Sequence, residues 1–178
     1  LVGYYNGRQV YAVEVSITSG PSGASGAGGA AGGSGPSGPA GAGAVITNHV
    51  GTVLRENHRA LGVKTNNEAE YEAVILGLET IKKVIGKMRA EVAKIEIRLD
   101  SELVAKQLSG KYQIKEKTLQ LLFMKIWNTR VATFHHLIFT SIPRGKNARA
   151  DRLANQAIDG LSGGNASRQS LAKNLFSE

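Results

Sequence analysis

Acidic side chains in three settings are the residues of this chain best placed to do chemistry. Glu70 stands in Thr65-Asn66-Asn67-Glu68-Ala69-Glu70-Tyr71, Asp100 in Leu99-Asp100-Ser101-Glu102-Leu103-Val104, and Asp151 in Arg149-Ala150-Asp151-Arg152-Leu153-Ala154-Asn155. Carboxylates gathered from separate elements suit hard divalent cations such as Mg²⁺, and a pair of these ions activates water and neutralises charge in phosphodiester hydrolysis. Each acid also has an ordinary reading. Glu70 falls at the edge of an apolar helical stripe, where an inward acid needs a partner, but a first-turn Glu is also favoured by the helix dipole. Asp100 closes an apolar strand and opens a helix, as active-site acids of α/β folds do and as plain N-caps do. Asp151 lies in the first turns of the last helix, with the same dipole alternative. No one acid decides the matter.

The elements that must position them follow from periodicity. Val10 to Thr18 alternates around Val13, Val15 and Ile17 and reads as a strand. Every residue from Ser19 to Gly43 is Ser, Gly, Pro or Ala, a low-complexity insertion or loop by composition. Ala44 to Asn48 and Gly51 to Leu61 read as a hairpin turning at Asn48-His49-Val50-Gly51. Asn67 to Ile85 is a helix with Tyr71, Val74, Leu78, Ile81 and Ile85 on one face and Glu68, Glu72 and Glu79 on the other. Lys94 to Leu99 is a strand and Ser101 to Leu108 a short helix. Lys117 to Ala132 is a longer helix, with Leu121, Met124, Trp127 and Val131 at helical spacing. His136 to Ile142 is a fifth strand, with His135 and His136 read as sheet residues, and Asn147 to Ile158 is the last helix. Three antiparallel strands followed by αβ crossovers imply an α/β fold with a five-stranded mixed sheet flanked by helices. Residues 1–160 form one domain, and 161–178 a polar tail.

The chain has 178 residues, 42% of them hydrophobic, which suffices for one domain with a core. It has no cysteine, which excludes disulfides, a thiolate nucleophile and Cys-ligated zinc. The formal charge of +8 suits a polyanionic partner or, equally, a Lys-rich solvated face. No stretch is long and apolar enough to span a membrane, and the N-terminus lacks a signal-peptide pattern. The expectation is a cytoplasmic protein with no membrane partner.

Taken in order, with these elements between them, the three acidic motifs resemble the type 1 ribonuclease H family from roughly Gly38 to Asp159. Gly38-Pro39-Ala40-Gly41-Ala42-Gly43-Ala44-Val45 resembles that family's glycine-rich turn into its second strand. The resemblance implies a ribonuclease H-like fold and hydrolysis of the RNA strand of RNA/DNA hybrids, leaving 5′-phosphate and 3′-hydroxyl ends. It implies Mg²⁺, with Mn²⁺ as substitute, held by Glu70, Asp100 and Asp151, and places Asp100 nearest the ion that activates water. Arg144 resembles the Arg that some members carry where others have a catalytic His. Thr65 would hold a phosphate of the DNA strand, Asn67 would touch bases from the minor groove, and Asn66 belongs to the same nucleic-acid-binding segment. A monomer is expected.

The family's further Asp, on the first strand, has no evident counterpart, because the first Asp of this chain is Asp100. Spacing back from Gly38-Pro39 points to Ala30. Thr18-Ser19-Gly20 points to Ser19, and Tyr5-Asn6-Gly7 to Asn6. None is a carboxylate, and Glu14 has the wrong strand parity to replace position 19. Activity is therefore expected to be reduced by orders of magnitude or abolished. The alternative is a non-catalytic module that binds hybrid or structured RNA, or that scaffolds a larger assembly.

Overall fold

The computed structural model describes residues 4–5, 7–19 and 37–160. The Asn6 and Ala30 alternatives, the tail at 161–178 and most of the Ser/Gly/Pro/Ala segment lie outside them. The strands are β1 (Tyr4–Tyr5), β2 (Arg8–Ser19), β3 (Gly38–Asn48), β4 (Val53–Lys64), β5 (Lys94–Leu99) and β6 (His136–Ser141). The helices are α1 (Asn66–Ile85), α2 (Lys87–Val92), α3 (Glu102–Leu108), α4 (Lys117–Thr133) and α5 (residues 148–160), which a 3₁₀ turn at Arg144–Asn147 leads into.

Five strands form the sheet in the order β4-β3-β2-β5-β6, and β1 pairs with the start of β2. The β2–β3 and β3–β4 pairs are antiparallel; β2–β5 and β5–β6 are parallel. The expected five-stranded mixed sheet is thus present. Its two faces are covered differently. Val13 and Val15 of β2 point at Gly77 of α1, and the main core gathers there around Tyr71, Leu76, Ile95, Ile97 and Phe134. On the opposite face Val45 packs with Ala150 and Leu153 of α5.

The local sequence explains the best-defined elements. Thr65 and Glu68 cap α1 reciprocally: the Thr65 hydroxyl accepts from the Glu68 N–H at 3.3 Å, and Glu68 accepts from the Thr65 N–H at 2.9 Å. The five apolar residues expected on one face of α1 are all buried. Gly86, with φ of 77°, then turns the chain into α2, an element that periodicity did not announce.

Three expectations need correction. Residues 38–43 are not loop: they open β3, with Ala40 and Ala42 buried. The stripe Leu121, Met124, Trp127 and Val131 of α4 faces outward, while Leu119 and Ile126 face the core. His135 sits in the turn before β6 and only His136 is in the strand. The reason in the first case is packing. A Cβ at Gly43 would lie 2.1 Å from the Ala150 carbonyl oxygen, and one at Gly41 2.3 Å from that of Ala154. Small residues let α5 lie directly on the strand.

Candidate active site at the carboxyl end of the central strands

The candidate acids come from three elements. Glu70 projects from the second turn of α1, Asp100 follows the end of β5, and Asp151 lies in the first turn of α5. Parallel strands emerge at one end of the sheet and deliver Asp100 there. The Ile142 N–H, donating to the Leu99 carbonyl at 2.8 Å, carries the chain after β6 past Asp100 towards Arg144. The cap of α3 is Ser101, whose hydroxyl accepts from the Val104 N–H at 3.3 Å. Asp100 is therefore not the N-cap, and its ordinary reading falls away.

Electrostatics tie the acids together. Burial pushes the Glu70 carboxyl up to about 7; a hydrogen bond with Ser101 works against this and the charge of Asp100 adds to it. Burial also raises Asp100, opposed by a backbone hydrogen bond and by Arg144, and reinforced by Asp151. Asp100 therefore feels Asp151, and Glu70 feels Asp100. Arg144 reaches Asp151 at 3.3 Å, and Asn155 donates to the Asp151 carbonyl at 3.0 Å. Glu70 Oε2 is enclosed without a hydrogen-bond partner.

Thr65, Asn66 and Asn67 stand one turn ahead of Glu70 at the start of α1, Asn66 exposed and the other two half-buried. All seven residues expected at the site thus occupy elements that meet at, or border, one end of the sheet. Two further residues escaped the sequence reading. Ser101 both caps α3 and bonds Glu70. Asn147, fully buried, donates through Nδ2 to the Val15 carbonyl at 2.7 Å and ties the approach to α5 onto β2. An Asn after a Pro-Arg-Gly-Lys run reads as turn chemistry, and only its burial marks it.

A family described as reverse transcriptase-like matches residues 30–157 of the chain. Ribonuclease HI of Halobacterium salinarum is 35% identical over 117 residues, 66% of this chain and 55% of that protein. The chain belongs to the type 1 ribonuclease H family. Another ribonuclease H relative, the bifunctional protein Rv2228c of Mycobacterium tuberculosis, is 38% identical over 137 residues; the match covers 76% of this chain but only 36% of that longer protein. Among solved ribonuclease H structures, LC11-RNase H1 in complex with an RNA/DNA hybrid superposes with a TM-score of 0.73 at 36% identity, covering 85% of this chain and 98% of the other. The N-terminal RNase H domain of Rv2228c gives 0.69 at 30% identity, covering 87% and 97%.

The family uses divalent metal ions, so the donor set bears directly on the reaction. Among the described residues, no three His, Cys, Asp or Glu side chains come close enough together to hold an ion. Glu70 is within electrostatic reach of Asp100, and Asp100 of Asp151, while Asp151 is paired with Arg144. The acids present therefore do not fit a metal pair, and no metal-dependent step follows from them.

Proposed function

We propose that this ribonuclease H domain is directed at RNA/DNA hybrids and that its hydrolysis of the RNA strand is impaired. The reading is supported by Glu70, Asp100 and Asp151, carried by three elements that border one end of the sheet, while among the described residues no three acids come close enough together to hold an ion. In this reading Thr65, Asn66 and Asn67 contact the hybrid beside the acids. Mg²⁺, or Mn²⁺ in its place, is the cofactor that an intact set of this kind would take. Binding of a hybrid by LC11-RNase H1 supports the choice of substrate class. RNA is told from DNA by its 2′-hydroxyls, read across the shallow minor groove. The same shortfall of acids favours a second reading, a non-catalytic module that binds hybrid or structured RNA.

The test is a labelled RNA/DNA hybrid, followed for binding and for cleavage in Mg²⁺ or Mn²⁺, beside an Asp100→Asn control. Asp100→Asn should melt at the same temperature as the parent or higher, since it removes a raised acid and no cap. We expect binding in preference to duplex DNA, with cleavage slower than that of an intact relative by orders of magnitude. Absence of hybrid binding sinks the proposal. Ordinary cleavage that Asp100→Asn abolishes would sink the impairment.

A further inference from the structure

The parallel pairing of β2 with β5 runs from Val10 opposite Lys94 to Glu14 opposite Arg98. Continued by two residues, the same register sets Ser16 beside Asp100. The antiparallel pairing on the other side of β2 sets Ser16 opposite Gly43, the residue on which Ala150 of α5 rests, one position before Asp151. Val13 and Val15 point at α1, so Ser16, of opposite parity, points to the α5 face. Ser16 therefore lies between the strand that delivers Asp100 and the helix turn that delivers Asp151.

Its surroundings are unusual. Ser16 is 2% exposed, and its Oγ has no hydrogen-bond partner. Glu70 Oε2 and Asn147 Oδ1 are enclosed without partners as well, and Asn147 is fastened to Val15, the neighbour of Ser16. Unpartnered buried oxygens are costly; Ser16 adjoins Asp100 by register, Glu70 is electrostatically coupled to Asp100, and Asn147 leads into the helix that carries Asp151. Oxygen donors left over on the elements that carry these acids describe a cation site short of one charge. By contrast, Ser19 is exposed at the end of β2, opposite Ala40.

We propose that Ser16 holds the place of a carboxylate in this site. One side chain, rather than the Ser/Gly/Pro/Ala segment, then accounts for the incomplete donor set, and S16D alone creates a divalent-cation centre with Glu70 and Asp100. This rests on the reading of the acids as a disabled hydrolytic site.

The experiment compares S16D with S19D, N6D and A30D, and with Ser16→Asn as an uncharged match in size. Each is melted with chelator and with Mn²⁺, then assayed for hybrid cleavage. We expect Mn²⁺ to raise the melting temperature of S16D by several degrees, and to leave the parent and the other four variants unmoved. Cleavage by S16D should exceed that of the parent by at least about a hundredfold. The proposal is overturned if S16D melts identically with and without Mn²⁺, or if another variant responds in its place. It is equally overturned if S16D stays unfolded in saturating Mn²⁺, since a place suited to a carboxylate accepts one once its charge is neutralised. Hybrid binding by the parent is measured separately in chelator. Its loss beside an S16D response refutes the proposed function and leaves this inference standing.

Discussion

Glu70 carries a cost that depends on pH. Below about 4.5 the folded and unfolded chains both hold its proton; between there and about 7 only the folded site does. Stability from this group is therefore complete below 4.5, falls as pH rises, and is lost above 7, a difference of about 3 kcal/mol at most. Glu70→Gln should remove that dependence. In chelator it is expected to gain roughly 2 kcal/mol at about pH 8 and close to nothing at about pH 4, by urea melts. Equal stability of the two proteins at the higher pH would refute the buried-acid account. Part of this scale was legible in the sequence: the motifs singled out Glu70, Asp100 and Asp151, of which Asp100 is electrostatically coupled to each of the other two. The cap question was not, because Asp100 and Ser101 are both good caps by type and only geometry assigns the role to Ser101. Nor was Ser16, because its relation to Asp100 lies in strand register, which joins residues far apart in the chain.

Two elements show where composition misleads. The Gly/Ala run at 38–43 has the makeup of a linker, yet it is strand, and its want of side chains is what admits α5. Gly43→Ala should push a methyl into the Ala150 carbonyl and lower stability by about 3 kcal/mol or more. Because Asp151 follows Ala150, it should weaken hybrid binding too. Gly145→Ala, with nothing within 4 Å of the added carbon, should be close to neutral. Calorimetric melts of the pair decide it, and a harmless Gly43→Ala would rule out the close approach. In α4 the difficulty is the reverse. Leu119, Leu121, Leu122, Phe123, Met124, Ile126, Trp127 and Val131 put apolar groups on most sides, so several stripes satisfy helical spacing. Of these, Leu119 and Ile126 are the ones fully buried, in a helix that packs against α1 and α2. Outside, Trp127 stacks on Phe123 at 6.1 Å between ring centres and carries the Arg130 guanidinium over its face. Those partners lie along its own helix and are invisible to a search for core positions.

For the molecule as a whole, element order was the most legible property. A meander followed by crossovers leaves few topologies open, and the observed sheet is one of them. Among the described residues no helix is long and apolar enough to cross a membrane. The formal charge of +8 over the whole chain belongs to the same scale. If hybrid backbones are the partner, affinity should fall at least about tenfold over about a fourfold rise in salt, through counterion uptake. Fluorescence anisotropy of a labelled hybrid across a salt series checks this, and a flat response would mean the charge serves solubility alone.

The hydrogen bond from Asn147 to the Val15 carbonyl spans 132 positions of sequence, and it has a meaning in time. During synthesis, β2 leaves the ribosome early and must wait for almost the entire domain before its partner arrives. Until then β3 has one bare face, because α5 has not yet been made. The acids on α1 and β5 emerge in advance of Asp151 and have no shared function to perform. The candidate site is therefore complete only once α5 has been made and packs on β3.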